Sequence, residues 1–350
     1  MLAFDIAMGV DIDRAAELAR AATTRGRFAH DRRAPASMNF QPPPLCIRTD
    51  APAISLARWS TDAAMDVTIF DFGAVSVTRS IPFEGDLATL LELAIAVEEQ
   101  KTLVESARTR AEELLRELWP ALQRPSLSDK MEDYVVFECR LDPSENIARS
   151  LNDQAQGWAQ VLRGERNRLS DQEVREVMSA RLSYGEHDAV IIDWGSAVLI
   201  DPHPQDTLRV LEFANVELLE MRHLDDRLDE ALEGTFKALT SAGWLTHWRP
   251  GRGRRRLEHV AGLRTDGVQM FESVNNALKL LGDQFLARMY RTATQRMGIP
   301  AWEASVLRKL ENLESVYDKI ADREGNLRME FLEWIIILLI AFEVVMSFLR

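Results

Sequence analysis

The chain has 350 residues, 46% of them apolar and 28% charged, a globular composition with room for two or three domains. Lys and Arg number 42 against 55 Asp and Glu, a formal charge of −13, which excludes a general nucleic-acid binder because the phosphate backbone rewards excess positive charge. Cys46 and Cys139 lie far apart with no CxxC, which excludes a disulfide scaffold and a thiolate zinc site.

The opening residues MLAFDIAMGVDID carry Asp5, Asp11 and Asp13 and no basic stretch, so no secretory signal is expected. A weak helix over Ile12–Ala22 leads into a basic, Pro-rich stretch ending in QPPP at 41–44, which reads as an extended linker or a strand lead-in.

Two later segments resemble each other. Val67–Val77 and Val190–Ile200 each place Asp-aromatic-Gly (Asp71-Phe72-Gly73 and Asp193-Trp194-Gly195) between β-branched runs, at an offset of 122 residues. Asp-x-Gly between strand-like runs suits a tight turn, so each segment predicts a hairpin. The kinase DFG reading fails, because the chain has no glycine-rich phosphate loop, no paired strand lysine and no HRD loop. After the first hairpin a long helix is predicted from Asp86 to about Leu118, ended by Pro120 and Pro125. A strand is predicted over Tyr134–Cys139, then helices over Ser144–Arg163 and Gln172–Ser183 and, after the second hairpin, over Thr207–Leu239.

Trp244-Leu-Thr-His-Trp248-Arg249-Pro-Gly-Arg252-Gly-Arg254-Arg255-Arg256 packs five Arg into eight residues of an otherwise acidic chain. Arg forks match phosphates and the flanking Trp rings can stack, so Trp244, Trp248 and these five arginines are the expected contact with an anionic partner, RNA or anionic lipid. The competing reading is a linker that pairs with the chain's own acidic helices.

From Phe271 an apolar stripe runs through Val274, Leu278, Leu281, Phe285 and Met289. Gly298 suits a left-handed cap and Pro300 the first turn of the next helix, whose stripe is Val306, Leu310, Leu313, Tyr317, Ile320, Leu327 and Phe331. The short break predicts an antiparallel, coiled-coil-like hairpin with the two stripes buried against each other or against a second copy.

The run FLEWIIILLIAFEVVMSFL, 331–349, is long enough at about 1.5 Å per residue to match a bilayer core. Its apolar residues outweigh the roughly 2.5–3.5 kcal/mol cost of one central acid. Trp334, Ile337, Ile340 and Glu343 are therefore read as a membrane segment, and Lys319, Arg323 and Arg328 before it place the N-terminal part on the cytoplasmic side. The alternative is a buried helix in an oligomer core.

No dinucleotide fingerprint, P-loop, HExxH or GxSxG occurs. The six histidines are scattered, and neither Asp201-Pro-His203-Pro nor Glu186-His187-Asp188 converges enough for a metal. No catalytic residue, cofactor or metal is assigned.

The predicted fold class is α+β: a small sheet built from two related hairpin-plus-helix halves, a long C-terminal antiparallel helical hairpin and a single C-terminal transmembrane helix. The segments are 1–58, partly disordered; 59–240, the α+β domain; 241–265, the Arg-rich loop; 266–330, the helical hairpin; and 331–350, the membrane helix.

The residues LEWIIILLIAFEVV (332–345), FDFGAVSV (70–77), MEDYVVFE (131–138) and LLEMRHLDDRLDEAL (218–232) resemble, in order, motifs of a domain-of-unknown-function family. That family contains the "required for meiotic nuclear division" proteins. The resemblance implies a membrane-bound, self-associating protein without known catalysis, linked in its mitochondrial members to organelle translation. The second hairpin and the Arg run have no counterpart in it. The expected function is thus a non-enzymatic membrane-anchored scaffold that self-associates and holds a partner, translation machinery first among them. Two rivals are a ligand-binding protein or enzyme using a cleft between the hairpin halves, with Asp71, Asp193, His187 and His203 to test, and a soluble helical oligomer.

Overall fold

A computed structural model describes residues 1–23, 29–32, 42–140, 146–240, 261–262, 265, 267–268, 271–272 and 284–348. The Arg-rich run, with Trp244, Trp248, Arg249, Arg252, Arg254, Arg255 and Arg256, lies outside the described residues. The chain forms two compact units, Met1–His223 with Glu272–Trp302, and Leu224–Phe271 with Glu303–Arg350.

In chain order the first unit holds β1 (Leu2–Asp5), β2 (Gly9–Val10), α1 (Ile12–Thr23), β3 (Ala29–Arg32), β4 (Leu45–Asp50), β5 (Ser55–Leu56), β6 (Trp59–Ser60), β7 (Ala64–Ile69) and β8 (Ala74–Thr78). Then come α2 (Leu87–Glu98), α3 (Lys101–Glu117), β9 (Leu122–Gln123), β10 (Met131–Asp133), β11 (Val135–Glu138), α4 (Ile147–Asp153), α5 (Ala155–Arg163), α6 (Asp171–Ser179), β12 (Arg181–Leu182), β13 (Ala189–Ile192) and β14 (Ser196–Ile200). The long helix α7 (Gln205–Thr240) starts in this unit and ends in the second; α8 (Gln284–Arg296) belongs to the first, and α9 (Ile299–Phe348) again runs from first to second.

The expected α+β character is present, but the hairpins do not share one small sheet. The first, β7–β8, is central in an antiparallel six-stranded sheet of order β10-β1-β8-β7-β4-β3. The second, β13–β14, is central in a four-stranded sheet, β11-β14-β13-β12, with β11 parallel to β14. Residues 1–58, expected to be partly disordered, contribute β1, β3 and β4 to the larger sheet.

Each sheet has its own core. Val67, Ile69, Val75 and Val77 pack with Ile12, Ala15 and Ala19 of α1 and with Ala107, Ala111 and Leu114 of α3. Those α3 positions recur at helical spacing, so one face of the helix is covered. Ile191, Val198 and Ile200 pack with Leu90, Leu93 and Ala94 of α2, Leu151 of α4, Trp158 and Val161 of α5 and Val177 of α6. The single helix expected from Asp86 to Leu118 is therefore two. Asp86 caps α2 by accepting from the Thr89 backbone N–H at 2.9 Å, which satisfies a donor the helix leaves open. The chain then breaks at Glu99 and Gln100, and α3 enters the other core. Helical periodicity does not mark such a hand-over, because both halves remain amphipathic.

Gly298 adopts φ +74° and α9 begins at Ile299, the predicted cap and restart. The stripes, however, take different partners. Leu286, Met289 and Ala293 of α8 are buried in the first unit, where Phe285 packs edge-on against Tyr184 and Tyr290 lies beside Phe213. In the second unit Val306, Leu310 and Leu313 of α9 pack on Leu224 and Leu228 of α7, with Phe271 and Tyr317 at the edge. Lys309 adds ion pairs to Asp225 (2.9 Å) and Asp229 (2.6 Å).

Among the described residues no helix is long and apolar enough to cross a membrane. The expected span is the last part of α9, a continuous 50-residue helix whose earlier turns carry Arg308, Lys309, Glu311 and Glu314. Glu333 and Glu343 interrupt the apolar run itself. The transmembrane helix, the single-pass anchor and the cytoplasmic-side placement at a membrane are corrected accordingly. Trp334, Ile337, Ile340 and Glu343 are residues of α9, not a membrane segment.

Candidate functional site

A cleft of about 1190 Å³ opens within the first unit, between its two sheets. Strands β4, β7, β8, β10 and β11 and helices α2, α3, α5 and α7 line it. Its position follows from the hand-over at Gln100: the chain crosses between two cores that each close on their own helices, and the gap between them stays open.

Five arginines line the cleft. Four have a carboxylate partner. Arg48 meets Asp66 at 3.3 Å, Arg163 meets Glu173 at 2.8 Å and Asp193 at 3.1 Å, Arg209 pairs with Glu212, and Arg222 pairs with Glu132 while lying 5.7 Å from the Trp302 ring centre. Burial pushes the Glu132 carboxyl up and Arg222 pulls it back. The fifth, Arg79, is held by neutral oxygens: the Pro52 carbonyl at 2.9 Å, the Ser106 Oγ at 2.7 Å and the Thr61 Oγ1 at 3.5 Å.

Of the residues expected at such a cleft, Asp71, Asp193, His187 and His203 do not line it, although Trp194 does. Asp193 is 1% exposed and is gripped by Arg163 and, at 3.1 Å, by Arg296. Arg296 also binds the Ile192 carbonyl and Glu176, so the group ties α5, α6 and α8 to the turn before β14. Burial raises the Asp193 carboxyl, against the pull of the two arginines. The buried Tyr134 hydroxyl, its pKa raised by burial, spans the carbonyls of Asp193 (2.9 Å) and Ser196 (2.8 Å). Asp71 sits at the tip of the first hairpin, where burial raises its carboxyl and the N–H groups of Asp71 and Phe72 lower it.

His187 and His203 are exposed. Asp188 accepts from the backbone N–H groups of Tyr184 (2.6 Å) and Gly185 (3.0 Å), and Asp201 accepts from that of His203 (2.7 Å), so both polar clusters are turns. Among the described residues no group of three or more His, Cys, Asp or Glu side chains is placed to hold a metal.

Sequence reasoning missed a second constellation. His223, in α7, has Nδ1 at 3.3 Å from the Ser128 Oγ and Nε2 at 3.3 Å from the Asp5 Oδ2. Ser128 Oγ also accepts from the Lys130 N–H at 3.1 Å. The three side chains pin the end of β1 and the loop before β10 to α7. No local motif announces them, since each comes from a different element.

The first 207 residues match the profile of the family described as "Uncharacterized protein MJ0711, N-terminal domain". The chain is also similar to the uncharacterized protein MJ0711 of Methanocaldococcus jannaschii, at 22% identity over 273 residues, covering 73% of this chain and 81% of that protein. No solved structure matches. These comparisons support an uncharacterised family and do not extend to the meiotic-division proteins. With its matched region spanning both sheets and most of the residues that line the cleft, the chain belongs to the MJ0711 N-terminal domain family.

Proposed function

We propose that the chain is a non-enzymatic, self-associating scaffold in which α9 joins copies and the remaining surface holds a partner. One observation carries this reading. Ile336, Ile337, Leu339 and Ile340 are 55, 53, 62 and 56% exposed, four large apolar side chains within five residues of one helix. Apolar surface buried at an interface returns about 25 cal/mol per Å², so such a run favours association over exposure. The roles of the groups first considered for chemistry support the non-enzymatic part: Asp193 is spent on two arginines, and the His187 and His203 segments are turns.

The resemblance to the "required for meiotic nuclear division" proteins supports self-association and makes translation machinery the first partner to test. The Arg run at 249–256 supports contact with RNA phosphates. Sedimentation equilibrium of the full chain tests the core of the reading. Wild type is expected to form a dimer or larger species, and a double Ile336→Asp, Ile340→Asp variant with unchanged circular dichroism a monomer. A wild-type monomer at micromolar concentration would sink the proposal. Anisotropy with a single-stranded RNA at low and near-physiological salt tests the Arg run, where binding that ignores salt, or no binding, removes that contact.

A further inference from the structure

Arg79 is the one arginine of the first unit's cleft without a carboxylate partner among the described residues. The other four face carboxylates, while Arg79 meets only the Pro52 carbonyl, Thr61 and Ser106 among the described residues. Its Nε is buried without a hydrogen-bond partner. Asp62, Glu98, Asp133 and Glu138 line the same cleft, as does Lys101, and none of these carboxylates makes an ion pair with Arg79. Burial holds the guanidinium below the usual arginine range, as expected of a cation short of a counter-charge.

Beyond these polar partners the cleft also offers an apolar wall. Ile81 and Phe83 follow it in the chain, Leu103 and Val104 lie on α3 a turn before its partner Ser106, and Leu93 and Val97 of α2 line the same cleft. An anion alone would leave that wall wet, and an apolar ligand alone would leave the charge uncompensated. A molecule with both parts satisfies the two together.

We infer that the cleft binds an apolar-tailed carboxylate, with its head on the Arg79 guanidinium and its tail along Ile81, Phe83, Leu93, Val97, Leu103 and Val104. The guanidinium suits this head group through its charge and the second Nη2 hydrogen, which Ser106 leaves unused, and a volume of about 1190 Å³ leaves space for a medium-length chain. The inference is independent of self-association, since all these residues belong to the first unit and none to the exposed stretch of α9.

The test is calorimetric titration of the full chain with decanoate, below its micelle concentration, alongside decanol and inorganic phosphate. Decanoate is expected to bind saturably with one site per chain, and decanol and phosphate at least tenfold more weakly. Decanol binding as tightly as decanoate would report apolar adsorption, for instance on α9, and overturn the inference; so would phosphate binding as tightly, or no decanoate binding by wild type. Arg79→Gln is expected to weaken decanoate at least tenfold, and Arg79→Lys, which keeps the charge, to recover most of that loss. Equal affinity of wild type and either folded Arg79→Gln or, should that variant not fold, an Ile81→Asp, Val104→Asp double variant also overturns it.

Discussion

The two Asp-aromatic-Gly hairpins share a tripeptide and invert its environment. In the first, Asp71 is half-buried at the tip, Phe72 is buried and stacks on Phe70 at 5.3 Å, and Gly73 takes φ +110°. A Cβ on Gly73 would sit 1.7 Å from the Ala7 carbonyl oxygen. In the second, Asp193 is the buried member, Trp194 is 64% exposed on the rim of the cleft, and Gly195 has nothing within 4 Å of an added Cβ. A turn sequence therefore fixes the reversal of the chain, while the layer packed beyond it decides which of the three side chains is needed. The first hairpin's tip is crossed by the Ile6–Val10 segment, which bonds Gly73 and Asp71 through backbone groups. The second is capped by arginines from α5 and α8.

Removing the acid should break the second hairpin most severely. Asp193→Ala leaves Arg163 and Arg296 facing a buried gap, and loss of one partner from such a group costs about 3–5 kcal/mol. Denaturant unfolding should show that loss, with Asp71→Ala costing less than half as much; comparable costs would mean that the two acids have the same role.

Exchanging the ring gives the opposite ranking. Phe72→Ala should cost about 3 kcal/mol through its cavity, and Trp194→Ala should stay within roughly 0.5 kcal/mol, because an exposed ring leaves no cavity. Gly73→Ala should cost about 2–3 kcal/mol, since it combines a left-handed φ with a backbone collision, whereas Gly195→Ala should change stability by roughly 0.5 kcal/mol or less. A costly Gly195→Ala would show that the second turn is as constrained as the first.

The smallest effects are kinetic, and they separate the two sheets. Cys46 lies in β4, opposite Thr68 of the first hairpin, and Cys139 donates its N–H to Leu199 of the second. Burial raises both thiols, Cys139 to about 12. At pH 8 its thiolate fraction is on the order of a thousandfold below that of an ordinary cysteine, so the native chain should react slowly with a thiol reagent. The folded state keeps this proton where the unfolded chain loses it, so the stability linked to Cys139 is complete below the ordinary thiol range and declines as pH rises through and above it. Asp193→Ala should expose Cys139 to the reagent before Cys46, and Gly73→Ala the reverse. Simultaneous exposure would mean that the two sheets unfold as one.

Much of the fold was legible because it is local. Both hairpins, the strand before Cys139, the start of the helix at Asp86 and the cap at Gly298 come from β-branched runs, a capping carboxylate and a glycine at positive φ. The break at Gln100 was hidden, since neither Gly nor Pro marks it and the apolar period persists across it. A cleft between the hairpin halves is only a rival reading of the sequence, and the four residues to test there do not line the cleft of the first unit: Arg79 looks like any charge after a strand, and nothing local shows that its four fellow arginines have carboxylates and it does not. The Ser128–His223–Asp5 cluster was illegible for the same reason, being assembled from three distant elements.

By itself the sequence determined where the two hairpins turn, where the helices at Asp86 and Gly298 begin and which residues must leave water. Only the tertiary structure decided where they go: Asp193 inward and Trp194 outward, α2 to one core and α3 to another, and the greasy final stretch into a long charged helix, not a separate span. The physical reason is that hydrophobicity and periodicity report a side chain's preference relative to water, a property of the residue, whereas the partner that satisfies the preference is a property of everything folded around it.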